Sequence, residues 1–381
     1  LFTHFWDDQK DFLTTLRSGV IAGDGAYDIV AGLGYFMPSF VTDGVLSDMS
    51  ELPYIDLTKP WWSEKFMEAS SLDGKYYFVT GDASLGLIKN MFCVYENLDL
   101  AEKLGAENLY DVVREGKWTL DKMREVSSLY YADLDGDTNA GQADQFGLLL
   151  NSGNHITGFI EPFDVNIVDL SGGDPKLVYG NAHNTDVVSK LIDMMFKTEG
   201  IYYDTKGESE TAFQSIFRNG NVLLATGWFM HTEAFRDIDF GYGVLPYPKW
   251  DETQENYNTT VLTTYSVMSV PADCTDKDRA AAVCEALAYE SWKSVTPAYF
   301  ETALKVKYVA DNDSAQMFDI IRDGVSFDFG YIYTMPMDGI SDRFKETVYN
   351  KKNWTTEYAK FESASEKKLG SLVEAIRDVT Q

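Results

Sequence analysis

The densest chemical pattern in this chain is a run of oxygen-bearing side chains. Asp133, Asp135, Asp137, Asn139 and Asp144 stand at positions 1, 3, 5, 7 and 12 of one segment. Alternate short carboxylates at that spacing can all turn inward around a hard cation, as in a calcium loop. Position 6 is Thr138 rather than Gly, position 12 is Asp rather than Glu, and the QFGLLL that follows reads as strand, not helix. A structural calcium clip is therefore expected here; plain turn formation by Asp, Gly and Asn is the alternative. Catalysis finds no comparable pattern. The sequence has no GxSxG, HExxH, Walker loop or strand-following GxGxxG. His4, His155, His183 and His231 are scattered without zinc spacing. With 60 Asp plus Glu, two carboxylates on plausible loops are unavoidable and do not argue for a glycosidase.

The other residue of interest is an aromatic. In FQSIFRNGNVLLATGW, residues Phe213, Ile216 and Phe217 repeat at helical spacing, and Asn219-Gly220 stops the helix. A strand over 222–226 then delivers Gly227-Trp228 into a loop, and a second strand over 241–245 ends at Pro246-Tyr247-Pro248. An aromatic exposed where a buried strand ends is a ligand platform of open α/β sheets. Core packing is the other reading of Trp228.

Around these segments the periodicity predicts helices over 8–21, 185–197 and from Asp276 to Trp292, and a helix capped by Thr119. Strands are expected over 27–31, 75–80, 85–95, 146–150 and 264–270, and the last ninety or so residues read mainly as helix. Strands alternating with helices give an α/β class with largely parallel sheets. At 381 residues the chain can form two cores. A net charge of −28 excludes nucleic acid as a partner. The 8 Trp, 23 Tyr and 23 Phe suit recognition of flat apolar faces such as pyranose rings. Cys93, Cys274 and Cys284 make no disulfide framework and are expected as free thiols. No apolar run reaches membrane-span length. The chain starts without Met, which reads as a fragment or matured product whose signal or lipid-anchor cysteine would lie upstream.

In order and spacing, YDIVAGLGY, DGVLSDMSEL, DGKYYFVTGD, the DLDGDTNAGQADQFG loop, FRNGNVLLATGW, FGYGVLPYPK and TTYSVMSVPADCTDKDRAAAVCEALAYES resemble the family 1 extracellular solute-binding proteins. These are receptors of ABC importers, and one well-known branch binds maltodextrins. The resemblance implies a two-lobed, periplasmic-binding-protein-like (type II) α/β fold with a hinge. Lobe one would comprise 1–89 and 246–294 and lobe two 90–245, with helices of 295–381 packing mainly on lobe two. The crossings would fall near 88–94 and between Leu245 and Thr264. It further implies ligand contacts from Tyr35, Asp82, Ser152, Asn154, Trp228, Tyr265, Tyr331 and Tyr333. Core or rim packing is the alternative for each tyrosine, and Trp61 and Trp62 are expected to pack within lobe one. The implied activity is non-catalytic: a monomer at the cell surface or in the periplasm binds an oligosaccharide and delivers it to a membrane permease. A peptide or cationic ligand in the same fold is the second reading, and a carbohydrate-active enzyme the third.

Overall fold

The computed structural model describes residues 9–137, 140–141, 143–150, 153–203, 210–308 and 312–378. Its strands are β1 (Val30–Leu33), β2 (Phe92–Asn97), β3 (Phe146–Leu150), β4 (Val168–Asp169), β5 (Lys176–Leu177), β6 (Ile201–Tyr203), β7 (Val222–Trp228), β8 (Tyr242–Leu245) and β9 (Ser266–Ser269). One lobe is built on the antiparallel pair β1–β9, extended by bridges from Leu46 to Pro271 and from Val79 to Met268. The other is built on a five-stranded sheet in the order β6-β3-β7-β2-β8.

The expectation of largely parallel sheets fails in a specific place. β3 runs parallel to β6 and β7, but β2 is antiparallel to both β7 and β8. The reason is connectivity. β2 enters its sheet from the other lobe, at the edge where β7 ends, so Phe92 lies opposite Trp228. The predicted strand over 85–95 divides: Leu85–Lys89 is a short helix and only Phe92–Asn97 is strand. A short apolar run does not distinguish helix from strand by periodicity. Packing decides it here, because Gly86 lies so close to Tyr265 that a Cβ would stand 3.0 Å from its Cα. Over 75–80 the chain is extended and buried, but its pairing is limited to the bridges Leu72–Lys75 and Val79–Met268.

The helices follow their sequence signals more closely. Gln9–Ala22 ends before Gly23, whose φ is 70°. Thr119 and Asp276 accept the N–H groups of Lys122 and Arg279 and so cap their helices. Trp61 and Trp62 both donate indole N–H to Glu285 at 3.0 Å, which ties their loop to the Lys277–Glu290 helix. Near the carboxyl end, Phe329–Ile332 packs on Glu64–Ser70, while Trp354–Asp378 touches both Ser39–Thr42 and Ala182–Lys197. These last helices therefore bridge the two sheet systems. All three cysteines are buried and free.

Candidate functional site

Two segments link the sheets and pair with each other. Met91 bridges Val261; Phe92 N–H donates to Thr260 O at 3.1 Å, and Leu262 N–H to Asn90 O at 2.9 Å. Tyr265 follows this crossing directly. Its ring is fully buried between Phe66 (centroids 5.7 Å, 84°) and Phe327 (6.1 Å, 76°). The strand β1 turns over it through Gly34, whose N–H donates to Tyr265 O at 2.7 Å. A Cβ on Gly34 would stand 2.5 Å from the ring, so only glycine admits this approach. The phenol oxygen of Tyr265 is sealed from solvent and has no protein partner.

Glu161 faces this crossing from the second lobe. It opens the 3-10 turn Glu161–Phe163, and its N–H donates to Thr260 Oγ1 at 3.0 Å. Ser326 donates to its Oε2 at 2.8 Å, while Oε1 is sealed without a partner. Burial, with the neighbouring acids Asp328 and Asp164, pushes this carboxyl up to about 8, which favours its protonated form. Asp328, pushed up to about 6 by burial, accepts the N–H groups of Ile167, Val168 and Tyr331. Glu161 is absent from the residues expected from sequence. Its signal was the Glu161-Pro162 pair at a helix start, a common capping arrangement that says nothing of chemistry.

At the carboxyl edge of β3 and β7 lies a second group. Trp228 does not emerge into a loop; it is the last residue of β7 and only 5% exposed. Its ring meets Phe92 (5.7 Å, 86°), His155 (5.1 Å, 69°) and His231 (4.4 Å, 45°), and its indole N–H has no protein partner. Asn154 begins a short helix and is exposed, while Ser152 lies outside the described residues.

The remaining expected residues are dispersed. Tyr35 donates its hydroxyl to Asp342 Oδ2 at 2.7 Å and lines a concavity of about 360 Å³ with Asp338, Asp342, Arg343 and Glu346. Burial and Asp342 push the Tyr35 phenol up. Asp82 is partly buried, accepts Thr296 Oγ1 at 2.5 Å, and is raised by burial. Tyr331 and Tyr333 are core residues in this structure. Their hydroxyls donate to Val261 O at 3.1 Å and Ser70 O at 2.8 Å, which leaves no free polar edge for a ligand. Tyr35 thus adjoins Tyr265 through the turn after β1, where its N–H donates to Thr263 O at 3.0 Å, while Trp228 meets the crossing through Phe92.

In the acidic loop, Asp133, Asp135 and Asp137 each bring a carboxylate oxygen within 4.8 Å of the others, all exposed. Asp144 points elsewhere: it is 1% exposed, and its two oxygens accept Leu134 N–H at 3.0 Å and Gly141 N–H at 2.9 Å. It staples the loop's two ends together. Asn139 lies outside the described residues.

Two α/β lobes joined by paired crossing segments are the two-lobed architecture of solute-binding proteins. The chain belongs to the bacterial extracellular solute-binding protein family, which it matches over residues 7–287. No curated protein sequence matches it. Among solved structures it is similar to the maltose/maltodextrin-binding domain from Bdellovibrio bacteriovorus bound to maltotriose. There the identity is 16%, 98% of this chain and 91% of that one are covered, and the TM-score is 0.59. An ABC substrate-binding protein from Listeria monocytogenes in complex with cycloalternan is 14% identical, with 95% and 89% covered and a TM-score of 0.61. A glycerophosphocholine complex of UgpB from Mycobacterium tuberculosis is 14% identical, with 95% and 88% covered and a TM-score of 0.63. Among the described residues, no helix is long and apolar enough to cross a membrane.

Proposed function

We propose that this chain is the ligand-capturing receptor of an ABC importer and that its ligand is a carbohydrate, an oligosaccharide in the first instance. It acts without catalysis, outside the cytoplasmic membrane, and hands its cargo to a permease. The carrying observation is the chemistry of the junction. A carboxyl whose protonated form burial favours (Glu161) and an unpaired phenol (Tyr265) lie among aromatic rings where the two lobes meet. Neutral hydroxyl-type groups on apolar walls match the alternating hydroxyls and C–H faces of a sugar. The maltotriose and cycloalternan complexes of similar structures support the same class.

One observation favours a second reading. The concavity at Tyr35 carries Asp338, Asp342 and Glu346, which now pair with Lys368, Lys345 and Arg343, and a cationic ligand would take the place of those partners. Glycerophosphocholine, the ligand of one similar structure, carries such a group. We propose in addition that Asp133, Asp135 and Asp137 take a structural calcium ion.

A thermal-shift screen against maltotriose, other oligosaccharides, monosaccharides, glycerophosphocholine and polyamines separates these readings. A ligand at a hundredfold excess over its Kd adds about 2.7 kcal/mol, which is easily seen as a raised Tm. A selective shift by one sugar, lost in folded Trp228→Ala and Glu161→Ala, is the expected result. Response to cationic ligands alone would transfer the site to the Tyr35 concavity, and product release from the sugar would make the chain an enzyme.

A further inference from the structure

Four side chains from four separate elements converge at the carboxyl edge of the five-stranded sheet. Glu210 opens the helix Glu210–Arg218, His155 lies in Asn154–Thr157, His231 opens His231–Phe235, and Trp228 ends β7. Glu210 Oε1 lies 3.1 Å from His231 Nε2 and 3.4 Å from His155 Nε2. Both imidazoles are essentially unexposed, at 1% and 0%. We propose that Glu210 is a positioning residue for Trp228: clasped by two histidines, it locks the His231 imidazole against which the indole rests. The proposal rests on reading Trp228 as a ligand-facing residue.

The surroundings leave His231 no other place. Its Nδ1 lies against Gly227, where a Cβ would stand 2.6 Å away. Its ring stacks on Tyr95 (6.2 Å, 24°) and packs on Trp228 with centroids 4.4 Å apart. Nε2 is the ring nitrogen that faces Glu210, at 3.1 Å. His155 is held at both ends as well, since its Nδ1 lies 2.7 Å from Thr226 Oγ1. The Glu210 side chain keeps 29% of its surface exposed and faces the two imidazoles at 3.1 and 3.4 Å, so its hold on them is one of charge. Turning either ring would strand the anion, so the indole position is tied to the charge on Glu210. Burial pushes the Glu210 carboxyl up, but the two imidazoles outweigh it and hold the group at about 2. Burial lowers His231, and Glu210 opposes that. The other titratable groups on the surrounding elements are Cys93, Tyr95 and Glu96 on β2, Tyr242, Tyr247, and Glu233 on the His231–Phe235 helix; burial raises the thiol and the Tyr95 and Tyr247 phenols.

An imidazolium beside an indole quenches its fluorescence, so Trp228 reports the cluster. The emission of the chain minus that of Trp228→Phe is followed between pH 4 and 8, without added ligand, with circular dichroism to confirm folding. A fall in emission with falling pH is expected, with a midpoint below the ordinary histidine value. His231→Gln combined with His155→Gln removes the step, since both rings meet the indole, and His183→Gln, on a histidine bonded elsewhere to Phe163 O, leaves it in place. Glu210→Gln withdraws the charge that favours imidazolium and lowers the midpoint by roughly one pH unit. If that variant does not fold, Glu210→Asp sets the carboxylate back by one methylene and gives a smaller shift in the same direction. A step that survives loss of both histidines, or a midpoint unmoved in a folded Glu210 variant, overturns the proposal. A chain that binds no sugar can still pass this test, and a sugar-binding chain can fail it.

Discussion

Gly34 shows how closely one residue can bind the lobe junction together. Its missing side chain lets the turn after β1 sit flat on Tyr265, and its N–H is spent on that residue's carbonyl. Gly34→Ala would force a carbon to within 2.5 Å of the ring and should cost about 1–3 kcal/mol, measured as a lowered midpoint in denaturant. An unchanged midpoint would mean that the turn can lift off Tyr265. Glu161 makes a different demand. Its folded value of about 8 exceeds its unfolded one, so its stabilising effect is complete below the ordinary carboxylate range. That effect is lost as pH rises through about 8. The Tm of the chain should therefore fall more steeply between pH 5 and 8 than that of Glu161→Gln, in which the neutral state is permanent. Parallel curves would show that the carboxyl is ionised at neutral pH. Neither residue was visible in the sequence as part of a site. A glycine in GLGY and a glutamate before proline have many ordinary uses, and only the approach of a distant ring or acid gives them this one.

At the scale of elements, the spacing in loop 133–144 points to five inward oxygens, of which the carboxylates of Asp133, Asp135 and Asp137 converge. What spacing did not separate was ligand from staple. Asp144 accepts two N–H groups from within the loop, so its oxygens organise the backbone. Calcium should raise the Tm and a chelator reverse the rise, while Asp135→Asn removes the response; a chain indifferent to calcium would leave the loop as a turn built by Asx hydrogen bonds. The β7 strand gives the opposite lesson. Its length and its helix stop at Asn219-Gly220 were legible, yet Trp228 turned out to close the strand in a buried ring cluster. Exposure depends on what faces the strand end, here His155 and His231 from two other elements. Tyr331 and Tyr333 are the same case, for their hydroxyls find carbonyls that only the assembled core supplies.

Across the whole molecule, two sheets meet through one pair of crossing segments, and the carboxyl-terminal helices span both. The sequence by itself determined the α/β class, most helix boundaries through their caps and glycines, the absence of a disulfide framework, and the order of segments that implies two lobes. These are local or cumulative properties: apolar period, cap chemistry and turn residues act within a few neighbours along the chain. Strand direction in the second sheet, the split of 85–95 into helix and strand, and the company kept by Glu161, Glu210 and Trp228 were decided only by tertiary structure. Each depends on groups brought together from more than fifty positions away, and the dielectric and hydrogen-bond partners that set a side chain's chemistry do not exist until they meet.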